Sequence, residues 1–250
     1  MRLQDIMPYL ETDLIGVADI EGIRESVTID MNLFPSAKRI VVLACAHVKA
    51  SLASCVNEAR QYDTLSTYDE VRRASYRTAK HIQAHGYEAV AVPAFIPMDM
   101  GEGKSGMVGA LDHRGAAVAA RIGRWGQSGL LITERYGPRV RLASVLTNAP
   151  LEITEPLRRG LCLECLRCVE ACPAKALAGN GLIDKKKCRR IVFVYGFRGF
   201  AGFMAELLEA NGPRRKELLG SYAARELWQN FMSGNFYYCW ECQAVCPVGS

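Results

Sequence analysis

Cysteine placement constrains this 250-residue chain more than any other feature of its sequence. Cys45 and Cys55 stand alone, and the other eight of the ten cysteines are concentrated in the later part of the chain. These eight are Cys162, Cys165, Cys168, Cys172, Cys188, Cys239, Cys242 and Cys246. A chain of this length buries enough apolar surface to fold without cross-links. The cluster of cysteines therefore favours metal binding over stapling by disulfides.

The spacing of these cysteines indicates which metal group they bind. The first four follow C-x2-C-x2-C-x3-C-P and the last three follow C-x2-C-x3-C-P, with Cys188 between them. In bacterial ferredoxins, three closely spaced cysteines bind one [4Fe–4S] cluster and the cysteine before proline binds the other. Zinc ribbons also use paired cysteines, but they do not require this spacing. The ferredoxin rule predicts one cluster on Cys162, Cys165, Cys168 and Cys246, and a second on Cys172, Cys188, Cys239 and Cys242.

The formal charge does not by itself predict a nucleic-acid-binding protein. The chain carries 31 Lys and Arg against 26 Asp and Glu, a net charge of +5. Residues 156–250 hold 14 of these basic side chains against 8 acidic ones, so the excess lies in the cysteine-rich part. Two clusters on eight thiolates would add a charge of roughly −4. The loaded molecule is then close to neutral.

Hydrophobic patterning predicts a mixture of helices and strands before the cysteine-rich part. Apolar and β-branched runs predict five strands, with a helix ahead of the first one. These strands are 14–19, 39–48, 88–95, 129–133 and 140–147. A long pattern over 55–86 predicts a helix that ends at Gly86, and the small residues of 116–123 predict another. Further along, the sequence pattern predicts two helices within residues 199–232, separated by the Asn-Gly-Pro at 211–213.

The ordered cysteine set, with sixteen positions from Cys172 to Cys188, resembles the double-cluster domain of epoxyqueuosine reductases and reductive dehalogenases. The segment 119–152, AARIGRWGQSGLLITERYGPRVRLASVLTNAPLE, resembles a second segment of these enzymes, and LIGVAD and RIVVLACAHV also fit. The resemblance implies an α+β (α/β-like) fold. It places a nitroreductase-like, corrinoid-binding domain over residues 1–155 and a ferredoxin-like double [4Fe–4S] domain over residues 156–250.

The same resemblance implies an enzyme, an iron–sulfur oxidoreductase. Electrons would pass from a ferredoxin- or flavodoxin-type donor through the two [4Fe–4S] clusters to cobalamin, which reduces a small or tRNA-borne substrate. The basic segments 185–190 and 213–216 are then either a docking site for an acidic donor or plain solvated surface.

Two departures from the resemblance keep alternatives open. Epoxyqueuosine reductases carry an acidic proton donor just after the strand that EAVAVPAF resembles. Here that strand runs into the Pro-Ala-Phe of 93–95, and the nearest carboxylate is Asp99. The interval from Cys188 to Cys239 is also longer than in those enzymes. One alternative is a corrinoid-free two-cluster electron carrier or activase that docks a redox partner, and another is a flavin in the N-terminal domain.

The sequence assigns no catalytic residue. Six side chains around the third predicted strand are candidate proton donors: Tyr62, Tyr68, Tyr76, Asp99, Asp112 and His113. Gly126 is a candidate cofactor-binding residue, because glycine lets the chain pass close to a corrinoid tail, although a helix stop explains it equally well. Trp240 is a second candidate, as a ring that packs over the cofactor or shields the neighbouring cluster from water.

The remaining segments give weaker expectations. The first residues lack a basic leader followed by a long apolar run, and no stretch is long and apolar enough to span a membrane. These features predict a cytoplasmic protein without membrane contact. Cys45 is expected to be a small buried hydrophobe and Cys55 an ordinary thiol. The glycine-rich loop 101–109 is expected to be a pocket lid or a backbone approach to a cofactor.

Overall fold

The computed structural model describes residues 11–95, 101, 109–155 and 160–249. Within them, strands pair antiparallel into a central sheet of order β1-β2-β6-β3 and a separate β4-β5 hairpin. The strands are β1 (Leu14–Asp19), β2 (Arg39–Ala46), β3 (Ala89–Val92), β4 (Arg124–Trp125), β5 (Leu131–Ile132) and β6 (Val140–Thr147). The combination of this sheet with helices confirms the predicted α+β class.

Two of the helices before the cysteine-rich part pack on the sheet, and three of the later ones each carry a cysteine. They are α1 (Lys49–Ala53), α2 (Asn57–Ala84), α3 (His113–Ala119), α4 (Arg167–Glu170), α5 (Lys185–Val192), α6 (Phe197–Glu209), α7 (Gly212–Leu219), α8 (Tyr222–Ser233) and α9 (Glu241–Ala244). Two short 3-10 turns, Glu21–Ile23 and Met31–Leu33, lie between β1 and β2.

The sheet is covered on both faces, which explains why β2 is a continuous apolar run. Side chains alternate across a strand, so Val42 faces the cluster that includes Ala116 of α3. Leu43, the next residue, faces the cluster that includes Val71 of α2. Cys45 belongs to this second cluster and is 1% exposed, as expected for a small buried hydrophobe. The result is a helix–sheet–helix arrangement of three layers.

Shortening a side chain of this core is expected to destabilise the fold. Leu43 is fully buried between β2 and α2, so Leu43→Ala leaves a cavity and should lower the free energy of unfolding by about 2–5 kcal/mol. Urea denaturation followed by circular dichroism measures this. Val56→Ala is the control, because Val56 is 55% exposed and its loss should change stability by less than about 0.5 kcal/mol. Equal losses for the two variants would contradict the assignment of the core.

The predicted strands are found, with some shifts at the helices. β3 is shorter than the predicted 88–95 and ends at Val92. Helix α3 begins at His113, three residues before the predicted start, because the Asp112 carboxylate accepts the backbone N–H of Arg114 as its N-cap. Helix α2 confirms the predicted end, since Gly86 follows it with a φ of +82°. The helix predicted ahead of β1 lies mostly outside the described residues.

The segment predicted to hold two helices, 199–232, contains parts of three. Asn211 caps α7 by accepting the N–H of Arg214. The helix ends at Leu219, and Ser221 then caps α8 by accepting the N–H of Ala224. The prediction of two helices was wrong, because Gly220 ends one helix and Ser221 caps the next, whereas the sequence pattern treats both residues as helix interior.

The end of the cysteine-rich part packs back on the loop between β5 and β6. A Cβ at Gly137 would lie 2.0 Å from the carbonyl oxygen of Val248, so this approach of two backbones requires glycine. Gln243 also donates its side-chain N–H to the carbonyl of Pro138 at 2.8 Å. The division at residues 155 and 156 stays a prediction, and the two parts interlock across it.

Among the described helices, none alone has the length and hydropathy of a membrane span. Helices α5 and α6 meet those criteria only as a pair, and they are bent by 65° where they join.

Candidate metal centres and cavity

One set of four cysteines gathers around α5 and α9. Cys188 lies on α5 and Cys242 on α9, while Cys172 follows α4 and Cys239 precedes α9. Burial raises the pKa of Cys242 to about 12, and the nearby sulfurs of the other three contribute to the same rise. The pKa of Cys188 is raised to about 11 by burial and then by Cys239 and Cys172. These four cysteines therefore lie near one another, and Cys168 of the other set is also close to Cys242.

The other four cysteines line a small hollow next to the first set. Cys162, Cys165, Cys168 and Cys246 all border this hollow, and Cys242 reaches it from the neighbouring set. Burial, and to a smaller extent the nearby Cys246 and Cys162, raises the pKa of Cys168. Cys165 is exposed, whereas the other seven cysteines are partly buried. This set is therefore the one that includes an exposed cysteine.

Cys172, Cys188 and Cys239 lie near Cys242, and Cys162, Cys165, Cys168 and Cys246 border one hollow that Cys242 also reaches. No three His, Cys, Asp or Glu side chains in the described part of the chain could hold one metal ion. The four thiolates of a cubane each bind a different iron, so they surround a wider space than the ligands of one zinc ion. Cysteine thiolates in the ferredoxin spacing fit a [4Fe–4S] cluster better than zinc, and the ligand assignment stays a prediction.

Arg139 holds the Cys-Pro loop at the C-terminal end. Its guanidinium donates to the carbonyls of Cys246 at 3.0 Å, Val248 at 2.8 Å and Gly249 at 2.9 Å. The residue is 1% exposed. Burial raises the pKa of the Cys246 thiol, and the charge of Arg139 opposes part of that rise. Arg139 thus fixes the position of a predicted ligand and favours its thiolate form. Sequence reasoning missed this role, because it depends on a contact between residues more than a hundred positions apart.

A cavity of about 380 Å³ lies between the sheet, α3 and the cysteine-rich part. Tyr237 and Gln243, which flank Cys239 and Cys242 in sequence, form one side of it. Leu131, Val140 and Leu142 are among its apolar lining. The volume is that of a small-molecule site, and its walls join the N-terminal sheet to the second cysteine set.

Arg114 connects the cavity wall with that cysteine set. Its guanidinium donates to the carbonyl of Gly129 at 2.8 Å and lies 5.9 Å from the centre of the Trp125 ring. It also lines the cavity, and its charge acts on Cys188 to favour the thiolate. A cation at this point stabilises negative charge on either side of the wall.

His113, a candidate proton donor, is held by two hydrogen bonds at the start of α3. Its Nε2 lies 3.0 Å from the carbonyl oxygen of Pro93, so Nε2 carries the proton and donates it. Its Nδ1 then accepts from the Ser144 hydroxyl at 2.9 Å. Burial lowers the pKa of His113, which favours this neutral form. Both ring nitrogens are engaged, so His113 ties α3 to β3 and β6 rather than offering a free proton.

A buried histidine–carboxylate pair lies where β2 ends against α2. The Nδ1 of His47 and the Oδ2 of Asp63 are 2.5 Å apart, and Asp63 also accepts the N–H of Val48 at 2.8 Å. The next residue, Thr64, accepts the indole N–H of Trp240 at 2.8 Å. One turn of α2 therefore joins the sheet to the segment that carries Cys239.

The stability of the protein is expected to fall as the pH drops from about 6.5 to about 4. Burial and the nearby Arg141 charge lower the pKa of His47 to about 4. The unfolded chain therefore takes up a proton in this range before the folded protein does, and unfolding becomes more favourable as the pH falls. The full contribution is about 3 kcal/mol. This stabilising contribution is fully present above the pKa of His47 in the unfolded chain, about 6.5, and is lost as the pH falls to its pKa in the folded protein, about 4.

Urea denaturation of the wild type and of His47→Gln at pH 5 and pH 7 checks this expectation. The wild type should lose more stability between the two pH values than the variant, since the glutamine does not titrate. The same pH dependence in both proteins would show that His47 is not the group responsible.

The two predicted cofactor-binding residues both have packing roles. A Cβ at Gly126 would lie 2.6 Å from the Ile132 side chain, so the β4-β5 hairpin itself requires glycine there. Trp240 is fully buried, with its indole N–H bonded to Thr64. Neither is among the residues that line the larger cavity. Their cofactor contacts stay predictions.

The remaining proton-donor candidates are spread over different environments. Tyr62 is 75% exposed and Tyr76 is 62% exposed, and neither lines the cavity. Tyr68 does line it, stacked at 4.7 Å on Phe95. Asp112 lines it too, but its carboxylate caps α3. Asp99 and most of the loop 101–109 lie outside the described residues.

Comparison with known proteins gives sequence matches to two kinds of enzyme, while no family model matches. The chain is 26% identical over 223 residues to the epoxyqueuosine reductase of Bacillus subtilis, covering 86% of this chain and 48% of that protein. It is 39% identical over 80 residues to the epoxyqueuosine reductase of Lactococcus garvieae, covering 32% of this chain and 22% of that protein. A tetrachloroethene reductive dehalogenase of Desulfitobacterium hafniense is 43% identical over 65 residues, 25% of this chain and 12% of that one. The chain thus spans at most about half the length of these curated relatives.

Solved structures share the fold. An epoxyqueuosine reductase solved with an epoxyqueuosine-modified tRNA stem loop matches with a TM-score of 0.59 at 21% identity, covering 98% of this chain and 64% of that one. A reductive dehalogenase described as B12-dependent matches with a TM-score of 0.56 at 15% identity, covering 96% and 36%. The chain thus shares its fold with solved structures of both kinds of enzyme, and parts of its sequence are similar to epoxyqueuosine reductases and to a reductive dehalogenase.

Proposed function

We propose that this chain is an oxidoreductase that passes electrons through two [4Fe–4S] clusters to a corrinoid, which reduces a small or tRNA-borne substrate. The observation that carries the proposal is the cavity beside the second cysteine set, with Tyr237 and Gln243 in its wall. When bound, the clusters would supply electron transfer, and the corrinoid would supply reductive bond cleavage. The corrinoid is proposed by analogy with the reductive dehalogenase described as B12-dependent. The tRNA-borne substrate is proposed by analogy with the reductase solved with a tRNA stem loop.

The chain's own residues give the electron path a direction. Cys165 is exposed, so its cysteine set is the side at which a ferredoxin- or flavodoxin-type donor would dock. The second set lies between that side and the cavity, with Cys242 bordering the hollow of the first set. Arg139 and Arg114 place positive charge beside one set each and so favour the added electrons. A cytoplasmic location belongs to this proposal.

A corrinoid-free electron carrier or activase is the second candidate function, and two observations favour it. The partly open cavity of about 380 Å³ takes a small molecule, whereas a whole corrinoid would extend beyond it. Asp112 is the acidic residue of the described cavity wall, and its carboxylate already caps α3. An acidic proton donor for epoxide reduction is therefore missing from the described wall.

Metal analysis of anaerobically reconstituted protein separates the two functions. Iron, sulfide and cobalt are measured per chain after loading with clusters and hydroxocobalamin. About eight irons with one cobalt support the corrinoid reductase. About eight irons without retained cobalt exclude it and leave the carrier or activase. Zinc in place of iron would contradict both.

A further inference from the structure

Arg141 of β6 places a buried positive charge in the wall of the cavity. The residue is 8% exposed. Its guanidinium carbon lies 4.7 Å from the centre of the Tyr68 ring and 4.4 Å from that of Tyr237. Such ring contacts stabilise a cation. A ring face, however, is a poor substitute for the oxygen acceptors that a guanidinium normally binds.

Two N–H groups of this guanidinium have no partner. Within the described structure, neither Nε nor Nη2 of Arg141 makes a hydrogen bond. Leaving charged donors unpaired in the interior is unfavourable. The Nε and Nη2 hydrogens project from one edge of the guanidinium, and that edge matches the two oxygens of a carboxylate or phosphate. His47 Nε2 is a buried acceptor that also lacks a partner, but a single nitrogen satisfies at most one of the two donors.

The cavity as a whole has an excess of positive charge. Arg141, Arg114 and Lys185 line it, against Asp112. The Asp112 carboxylate accepts the backbone N–H of Arg114, and the Arg114 guanidinium donates to the carbonyl of Gly129. Neither of these two hydrogen bonds involves Arg141. The Tyr237 side chain hydrogen-bonds to Arg141 and the Asp63 charge acts on it, but no described carboxylate hydrogen-bonds to its guanidinium.

We propose that this cavity binds a small organic anion, whose carboxylate or phosphate group pairs with the Nε and Nη2 edge of Arg141. Leu131, Val140 and Leu142 give the remaining space an apolar lining, which suits a ligand with a hydrophobic or aromatic body. Both N–H groups are covered in the structure. The rings of Tyr68 and Tyr237 both pack on this guanidinium, so the anion reaches these N–H groups only when a neighbouring side chain shifts. That the anion is the substrate rests on the proposed function, whereas its binding does not.

Calorimetric titration of the cluster-loaded protein tests the proposal with three probes. Benzoate carries a carboxylate on an aromatic body, benzamide has the same shape without the charge, and inorganic phosphate has the charge without the body. Benzoate or phosphate should bind, and benzamide should bind at least about tenfold more weakly than benzoate. Benzoate as the stronger anion indicates a carboxylate ligand, and phosphate as the stronger one indicates a phosphate ligand. Absence of binding by both anions to the wild type would overturn the proposal.

Substitutions then locate the site. Arg141→Lys keeps the charge but loses the two-donor edge, and Arg141→Gln loses both, so each should weaken anion binding by about tenfold or more. Arg198→Gln, which removes an exposed arginine of α6, should leave binding unchanged. Cluster absorption and the thermal midpoint without ligand show whether each variant is folded. Wild-type affinity in a folded Arg141→Gln would overturn the proposal.

Cobalt retention, measured on the same protein, keeps this inference separate from the proposed function. Anion binding that depends on Arg141 in a protein that retains no cobalt excludes the corrinoid reductase and leaves the anion site standing. Cobalt retention without anion binding excludes the anion site and leaves the corrinoid reductase standing.

Discussion

Replacing Cys242 by alanine is expected to lower the iron content of the reconstituted protein from about eight to about four per chain. Cys242 is the cysteine whose pKa burial raises to about 12, with three sulfurs of its set close by. A thiol in such a position ionises only when a cation replaces the lost water, and iron provides that cation. Without the fourth thiolate, the second cluster should not assemble stably, while the first keeps all four predicted ligands.

Cys55→Ala is the matched control for this experiment, because Cys55 is exposed and belongs to neither set. It should retain about eight irons. Iron and sulfide analysis, together with the electron paramagnetic resonance of the reduced protein, distinguishes one cluster from two. Loss of both clusters in Cys242→Ala would point to a shared assembly unit. An unchanged iron content would show that Cys242 is not a ligand.

Replacing Arg139 by methionine is expected to lower the free energy of unfolding by at least about 3 kcal/mol. The guanidinium donates to three carbonyls of the Cys-Pro loop, and the residue is 1% exposed. Methionine fills similar space but leaves these carbonyls without a donor. Removing the buried charge returns part of its desolvation cost, so the loss is smaller than three separate charge-assisted bonds would suggest.

The effect of Arg139→Met should also be visible at the first cluster, because the loop positions Cys246. Denaturant unfolding gives the stability, and iron analysis after a mild chelator challenge gives the lability of the cluster. Arg225→Met is the control, since Arg225 donates to the carbonyl of Gly220 in an exposed position, where a change of less than about 0.5 kcal/mol is expected. Equal stability and equal iron retention in the two variants would contradict the role of Arg139.

The local parts of the fold could be predicted from the sequence. The apolar run 39–48 gives β2, and Gly86 marks the end of α2, because strand and helix patterns depend on neighbouring residues. The start of α3 at His113 was missed. Its cap is a single aspartate in a segment that reads as loop, and small residues give a weak helical pattern. The break between α7 and α8 was missed for the same kind of reason.

The candidate site was predictable only in its cysteines. Spacing alone groups them, because the ferredoxin rule is written in sequence separations. The buried contacts of Arg139 and the unpaired N–H groups of Arg141 follow no such rule. Arg141 lies in β6 and Arg139 directly precedes it, in a run that is typical of an ordinary strand. The sequence offered no signal that separated them from other basic side chains.

The sequence by itself determined the two cysteine motifs, the positions of the main strands and the membership of the predicted cluster sets. Each of these depends on residue types at short separations. Tertiary structure decided the strand order β1-β2-β6-β3, the cavity between the sheet and the second cysteine set, and the partners of His113. These features join segments that are far apart in the chain. Their energies come from burial and from hydrogen bonds that exist only once the layers have packed.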